Sequence, residues 1–295
     1  MNPVTIRLLA HELNLSISTV SKALKDSYEI SSETKERVLL LAKKLNYTPN
    51  PYASSLRRKK SNTIAVVIPE VADSFFSLAI KGIEEVAQRK GYHVLIYLTY
   101  ESAEKEKKIL EECRNGRVDG VLMSVSTETC SAAAIAELSA AEVPLVFFDR
   151  ALEGLKTARV RTNDYECGYL ATRHLLERGC KRIAFLSISP QLDINQKRRD
   201  GYLAALQSSD GMQNSLVVAC TSSAEENYAI LADLMKVPHR PDGVIASVEG
   251  LITPFYRVCQ DSNIAMPAAV KLIGFSNLPT AQILRPALST ITQPA

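Results

Sequence analysis

The sequence predicts two folds in one chain: an all-α helix-turn-helix head over residues 1–48, and an α/β body over residues 62–295 with doubly wound parallel sheets in two lobes. Three observations predict this. Apolar residues recur at helical spacing in three short stretches before Asn46. From Thr63 onward, short continuous apolar runs alternate with amphipathic segments, the pattern of parallel strands covered on both faces. That alternation restarts near Tyr165, which implies a second, similar lobe.

In the head, Thr5 is placed to cap a first helix whose Ile6, Leu9, Ala10 and Leu13 share one face. Asn14 tolerates the left-handed conformation where this helix must stop. Ser16 then caps a second helix that turns Val20, Ala23 and Leu24 inward and leaves Ile17, Ser18, Ser21 and Lys22 outside. Two short helices joined by a tight turn, the second showing small polar residues and a cation, fit the motif that lays a helix in the major groove of DNA. An ordinary helical hairpin is the plain alternative. A third helix is expected from Ser31 to about Asn46, with Glu33 and Glu36 near its start and Lys43 and Lys44 in its last turn, as the helix dipole favours. Residues 49–61 read as a linker: Asn50 and Pro51 can open a helix of barely two turns that ends in Arg57-Arg58-Lys59-Lys60. So short a helix is marginal in water unless something holds it.

The body's strands are expected at 63–69, 93–98, 120–124, 145–148, 182–186, 216–219, 243–246 and 270–275. Helices are expected at 75–89, 104–115, 132–141, 165–178, 197–206, 225–235 and 251–260. The lobes should span about 62–161 and 162–290.

Composition narrows the function. Residues 1–61 carry 11 Lys/Arg against 5 Asp/Glu, whereas the rest of the 295 residues is slightly acidic. A basic head suits a phosphate backbone, and the body's balance argues against nucleic acid running over it. Six widely spaced cysteines without a C-x-x-C pair read as reduced packing residues, and the four histidines show no zinc spacing. There is no charged-then-apolar leader and no apolar run near ~18 residues, so a cytoplasmic protein without a membrane span is expected. No Gly-rich nucleotide motif, P-loop or nucleophile elbow is present, which removes the common catalysts and leaves a ligand-binding body as the expectation, with no enzyme activity, cofactor or metal.

Five ordered blocks carry a specific resemblance: Val4-Thr5-Ile6, Leu15-Ser16-x-x-Thr19-Val20-Ser21-Lys22-Ala23-Leu24, Ile30-Ser31-x-Glu33-Thr34, Leu45-Asn46-Tyr47-x-Pro49-Asn50, and Ala53-x-x-Leu56-Arg57. Together they resemble the head of the lactose repressor (LacI/GalR) family of bacterial transcription regulators. Body blocks such as Arg117-Val118-Asp119-Gly120, Phe147-Phe148-Asp149-Arg150 and Arg198-x-x-Gly201-Tyr202 resemble that family's effector-binding body, which is similar to periplasmic sugar-binding proteins. The resemblance implies a homodimer on a pseudo-palindromic double-stranded DNA operator, controlled by a small-molecule effector.

It places Ile17, Ser18 and Lys22 at base-reading positions. The residue types agree, because Lys22 can donate to guanine, Ser18 can donate or accept, and Ile17 can meet a thymine methyl. Thr5, Ser16, Thr19, Ser21 and Ser31 offer hydroxyls or helix N-termini to phosphates. Ala53, Leu56 and Arg57 fall in the hinge, where Leu56 matches a wedge that opens a base step from the minor groove. For the effector, Asp149 and Arg198 fall on matching positions, and Phe75 is a candidate cleft wall. The chain departs from the family at Val248-Glu249, where an Asn-Asp pair is usual, and at Ser276-Asn277, where acids are common. Both departures should face the cleft, so Glu249 and Asn277 join the candidates while ligand identity stays open. A solute-binding protein without DNA function, or an enzyme on the same body, remains the alternative. After Leu288 to Pro294 the family continues with a further helix and strand, so a chain stopping at Ala295 is expected to leave apolar sheet surface uncovered.

Overall fold

The structure, a computed structural model, describes residues 4–48, 60–128, 133–208 and 214–295. The chain divides into two units, Met1–Lys59 and Lys60–Ala295. In the first, helices α1 (Ile6–Leu13), α2 (Ile17–Ala23) and α3 (Ser32–Lys44) close around Leu9, Ala10, Val20, Ala23, Val38 and Ala42. Each helix starts on a hydroxyl. Thr5 accepts from the Leu8 N–H at 3.4 Å, Ser16 from Thr19 at 3.1 Å and Ser31 from Thr34 at 3.3 Å, pairing donors that a helix start otherwise leaves open. Asn14 ends α1 at φ 53°, the left-handed geometry that its side chain tolerates. The expected hinge helix, with Ala53, Leu56 and Arg57, lies outside the described residues.

The second unit holds two five-stranded sheets in which every pairing is parallel. The first runs β2-β1-β3-β4-β5, from β1 (Thr63–Ile68), β2 (His93–Leu98), β3 (Gly120–Met123), β4 (Leu145–Phe148) and β5 (Ala158–Val160). Helices α4 (Ser74–Arg89), α5 (Ala103–Glu112) and α6 (Ala133–Ala140) alternate with these strands. The second runs β10-β9-β8-β6-β7, from β6 (Ile183–Ser187), β7 (Leu216–Ala219), β8 (Gly243–Ala246), β9 (Lys271–Phe275) and β10 (Ser289–Ile291). Its helices are α7 (Asp164–Glu177), α8 (Asp193–Gln207), α9 (Ala224–Lys236) and α10 (Ile252–Asp261). Central strands β1, β6 and β8 are buried almost throughout, which is why they read as unbroken apolar runs.

One device recurs in both sheets. Ahead of β3, the Asp119 carboxylate accepts from the Ser61 and Asn62 N–H groups at 2.6 and 2.9 Å, pinning the entry to β1. Ahead of β8, Asp242 accepts from Lys181 and Arg182 at 2.8 and 2.9 Å, pinning the entry to β6. The glycine that follows each aspartate pairs near the start of the pinned strand, Gly120 beside Ile64 and Gly243 beside Ile183.

Three features departed from the sequence pattern. β5 and β10 have three residues each, too few to show a period. α8 begins at Asp193 rather than Lys197, because its polar first turn carries no amphipathic signal although Ile194 and Asn195 in it are buried. The helix expected to run to residue 115 ends at Glu112 and continues as a wider turn, with Gly116 at φ 73°. A trough of about 700 Å3 runs along α4, with Ile64, Leu122, Val146, Val160 and Pro294 among its walls. No described helix is long and apolar enough to cross a membrane.

α7 and α8 meet through glycine. A Cβ built on Gly168 would lie 2.1 Å from the Arg198 carbonyl oxygen, and one on Gly201 would lie 2.0 Å from that of Tyr165. Gly201→Ala must therefore push the helices apart, and we expect it to lower the unfolding free energy, measured by urea titration, by ~1–3 kcal/mol or more. Gly82→Ala on α4, where nothing lies within 4 Å, should instead be neutral or gain ~0.5–1 kcal/mol. Equal effects from the two would mean that the crossing is not close-packed.

Candidate functional site

In the head, α2 is held by Val20 and Ala23 against the core, which fixes its opposite face outward. Ile17 is 40% exposed there, and Ser18 and Lys22 are also exposed, so the three expected base readers share one accessible face. Ser16 at its N-terminus contacts the Ser18 hydroxyl at 2.9 Å and the Thr19 hydroxyl at 2.8 Å. Thr5, Ser16 and Ser31 are thus both exposed hydroxyls and helix caps, while Thr19 and Ser21 are half-buried. Lys22 is engaged, pairing with Glu29 across the surface. An exposed pair of this kind is worth only ~0–1 kcal/mol, so Lys22 leaves it at little cost.

In the body, a cavity of about 240 Å3 opens between the two lobes. Phe75, Asp149, Arg198 and Glu249 line it, and Asn277 does not. Asn277 is used instead to pin a crossing strand: its Nδ2 donates to the Gln293 carbonyl at 2.7 Å and its Oδ1 accepts from the Gln293 N–H at 2.9 Å. Gln293 does reach the cavity, and its Nε2 donates to Asp149 Oδ1 at 3.3 Å. Asn277 therefore touches the lining through Gln293.

Arg198 sits in the second turn of α8, only 2% exposed. Its Nε donates to Asp164 Oδ1 at 2.8 Å, its Nη1 to the Ser247 carbonyl at 2.5 Å, and its guanidinium lies 4.1 Å from the Phe275 ring centre. Nη2 has no partner. Asp149 follows β4 at φ 58° and is flanked by Arg150, whose Nε lies 3.8 Å away while its Nη1 donates to Glu101 at 2.8 Å. Burial pushes the Asp149 carboxyl upward against the pull of Arg150 and Arg198.

Glu249 ties the lobes together. From the second lobe it accepts from the Ser74 N–H at 2.9 Å and from the Ser74 hydroxyl, both at the N-terminus of α4 in the first lobe, and from the Ser276 hydroxyl at 2.5 Å. A carboxylate there meets the positive end of the helix dipole. Its neighbour Asp73, the α4 N-cap, is pushed from the usual 3.8 up to about 6 by burial and then by the Glu249 charge. Sequence reasoning passed over Asp73, Arg150, Asn195 and Gln293. The Asp149-Arg150 adjacency was a usable signal for one of them, and the others depend on the lobes coming together.

Comparison with known proteins agrees with this geometry. Residues 61–294 match the family described as periplasmic binding proteins and sugar binding domain of LacI family, and residues 5–50 match bacterial regulatory proteins, lacI family. The chain is 29% identical to the ribose operon repressor of Halalkalibacterium halodurans over 290 residues, 98% of this chain and 85% of that one. It superposes on the lac repressor dimer bound to operator and an anti-inducer with TM-score 0.85, covering 99% of this chain and 88% of that one at 21% identity. It also superposes on a LacI family regulator from Enterococcus faecium with bound ribose, TM-score 0.68 and 27% identical, covering 79% of this chain and 84% of that one.

The Asp73 shift makes a testable statement. A carboxyl raised to about 6 keeps its proton in the folded state over a range where the unfolded chain has lost it, so its contribution falls as pH rises through that window. Asp73→Asn retains the cap without the titration. Its stability relative to the parent should therefore grow between about pH 4 and about pH 7 in urea unfolding. A constant difference across that range would show that Asp73 is not desolvated.

Proposed function

Since the chain belongs to the LacI family of bacterial regulatory proteins, we propose that it is a dimeric, sequence-specific transcriptional regulator whose operator affinity is set by a small metabolite held between its two lobes. One observation carries this reading. A single chain joins a capped helix-turn-helix that exposes Ile17, Ser18 and Lys22 to a body with a polar cavity between two α/β lobes. A solute-binding protein or an enzyme would have no use for the head.

In this reading α2 enters the major groove, where Lys22 and Ser18 read base edges and Ile17 meets a thymine methyl. Thr5, Ser16, Thr19, Ser21 and Ser31 hold phosphates, and Ala53, Leu56 and Arg57 act in the minor groove, with Leu56 as the wedge. Phe75, Asp149, Arg198 and Glu249 face the effector, a sugar or related metabolite, with Asn277 supporting them through Gln293. The protein works in the cytoplasm and catalyses no reaction. Effector binding that shifts the lobes is coupled to the operator by ~1–3 kcal/mol, the usual strength between two sites, a change of ~5- to 150-fold in affinity.

Selection from random duplexes should recover a palindromic site. Lys22→Ala should then cost ~1–3 kcal/mol at particular base pairs and relax preference there, as removal of direct readout does. A uniform loss over all sequences would make Lys22 a phosphate contact instead. Leu56→Ala should reduce the bend of the operator, measured by fluorescence transfer between duplex ends, and an unchanged bend would reject the wedge.

A further inference from the structure

The inter-lobe cavity holds more negative charge than its own cations balance. Five carboxylates line it, Glu70, Asp73, Glu101, Asp149 and Glu249, against two guanidiniums. Both guanidiniums are already committed. Arg150 pairs with Glu101 at 2.8 Å and stands 3.8 Å from Asp149, and Arg198 pairs with Asp164 at 2.8 Å. Among the described residues no ion pair reaches Asp73 or Glu249, and these two approach each other from opposite lobes. Such charges are costly to hold out of water unless a cation joins them.

Two residues that line the same space each carry a buried atom without a partner among the described residues. Asn195, 2% exposed, donates through Nδ2 to the Ser189 carbonyl at 3.1 Å, while its Oδ1 accepts nothing. Arg198 Nη2 is a buried donor with no acceptor. Buried polar atoms are nearly always paired, so an open acceptor and an open donor lining one cavity mark the place of a group that both donates and accepts, as a hydroxyl does. A metal ion does not fit the acid excess, because among the described residues no group of three His, Cys, Asp or Glu is arranged to hold one.

We propose that this cavity takes a hydroxylated ligand carrying a protonated amine, with the ammonium against Asp73 and Glu249 and a hydroxyl against Asn195 and Arg198. An ammonium brings three donors and no acceptor to a wall of acceptors, and its charge offsets the excess that a neutral sugar leaves standing. A phosphorylated sugar adds to that excess and is rejected. The amine deepens the effector reading above and rests on it.

Calorimetric titration of the full chain with D-glucosamine, D-glucose and D-glucose 6-phosphate tests the class. Glucosamine should bind about tenfold or more tighter than glucose, as a charge-assisted hydrogen bond allows, and glucose 6-phosphate should not register. Glu249→Gln and Asp73→Asn should each shrink the ratio of glucosamine to glucose affinity, read within the same variant. The second variant retains the helix cap in case the first loosens the lobes. Glucose binding as tightly as glucosamine, or silence toward glucosamine at tens of millimolar, overturns the amine. Binding of any probe that Arg198→Ala leaves intact would place the site elsewhere, and that would be the failure of the effector reading.

Discussion

The contact between α7 and α8 governs how this body is built. With Gly168 and Gly201 at the crossing, neither helix has a side chain to hold the other away, and backbone meets backbone. That approach sets Arg198 beside Asp164, a pair that must be buried together because each charge alone would be far more costly in the interior. The guanidinium is then held 4.1 Å from the Phe275 ring centre and bonded to the Ser247 carbonyl, which leaves a single buried nitrogen without a partner among the described residues. A residue that reads as a surface cation in isolation becomes a fixed donor because two glycines are where they are. Tyr202, next to Gly201, extends the same support, donating to the Ile183 carbonyl and accepting from the Leu216 N–H, both at 2.9 Å.

A second constraint acts between the lobes. Glu249 lays a carboxylate on the N-terminus of α4, where helix N–H groups lack internal partners, so one side chain stabilises the approach of two separately folded sheets. Asn277 and Gln293 brace the crossing segment next to it. Glu249 and Asn277 therefore both bond to Ser74 in the first lobe and so join the lobes. The same closure puts Glu249 near Asp73, and the strain of two carboxylates in a drying space appears as the elevated Asp73 carboxyl.

The head follows a simpler logic. Three helices too short to persist alone are stabilised by hydroxyl caps and a shared apolar centre, and their packing leaves one face of α2 to solvent. Ile17 on that face is 40% exposed, as are other apolar residues of the head such as Leu8 and Leu40. The head carries net positive charge, against a slightly acidic body.

By itself the sequence determined what local physics controls. Period and capping placed α1, α2 and α3 and their inward residues, and continuous apolar runs placed the central strands, because a strand buried on both faces has no polar alternation to confuse the reading. Asp149 and Arg198 were legible as candidates through adjacent motif residues. The tertiary structure alone decided the rest. β5 and β10 exist only because longer strands offer them an edge, and the first turn of α8 is helical because the cavity and the first lobe's core receive Asn195 and Ile194. Asp73, Asn195 and Gln293 join the site, and Asn277 leaves it, for one reason. Asp73 meets Glu249 and Gln293 meets Asp149 from far along the chain, Asn277 meets Gln293 16 residues on, and Asn195 turns back to the Ser189 carbonyl, and no periodicity records which carbonyl or carboxylate a side chain will meet.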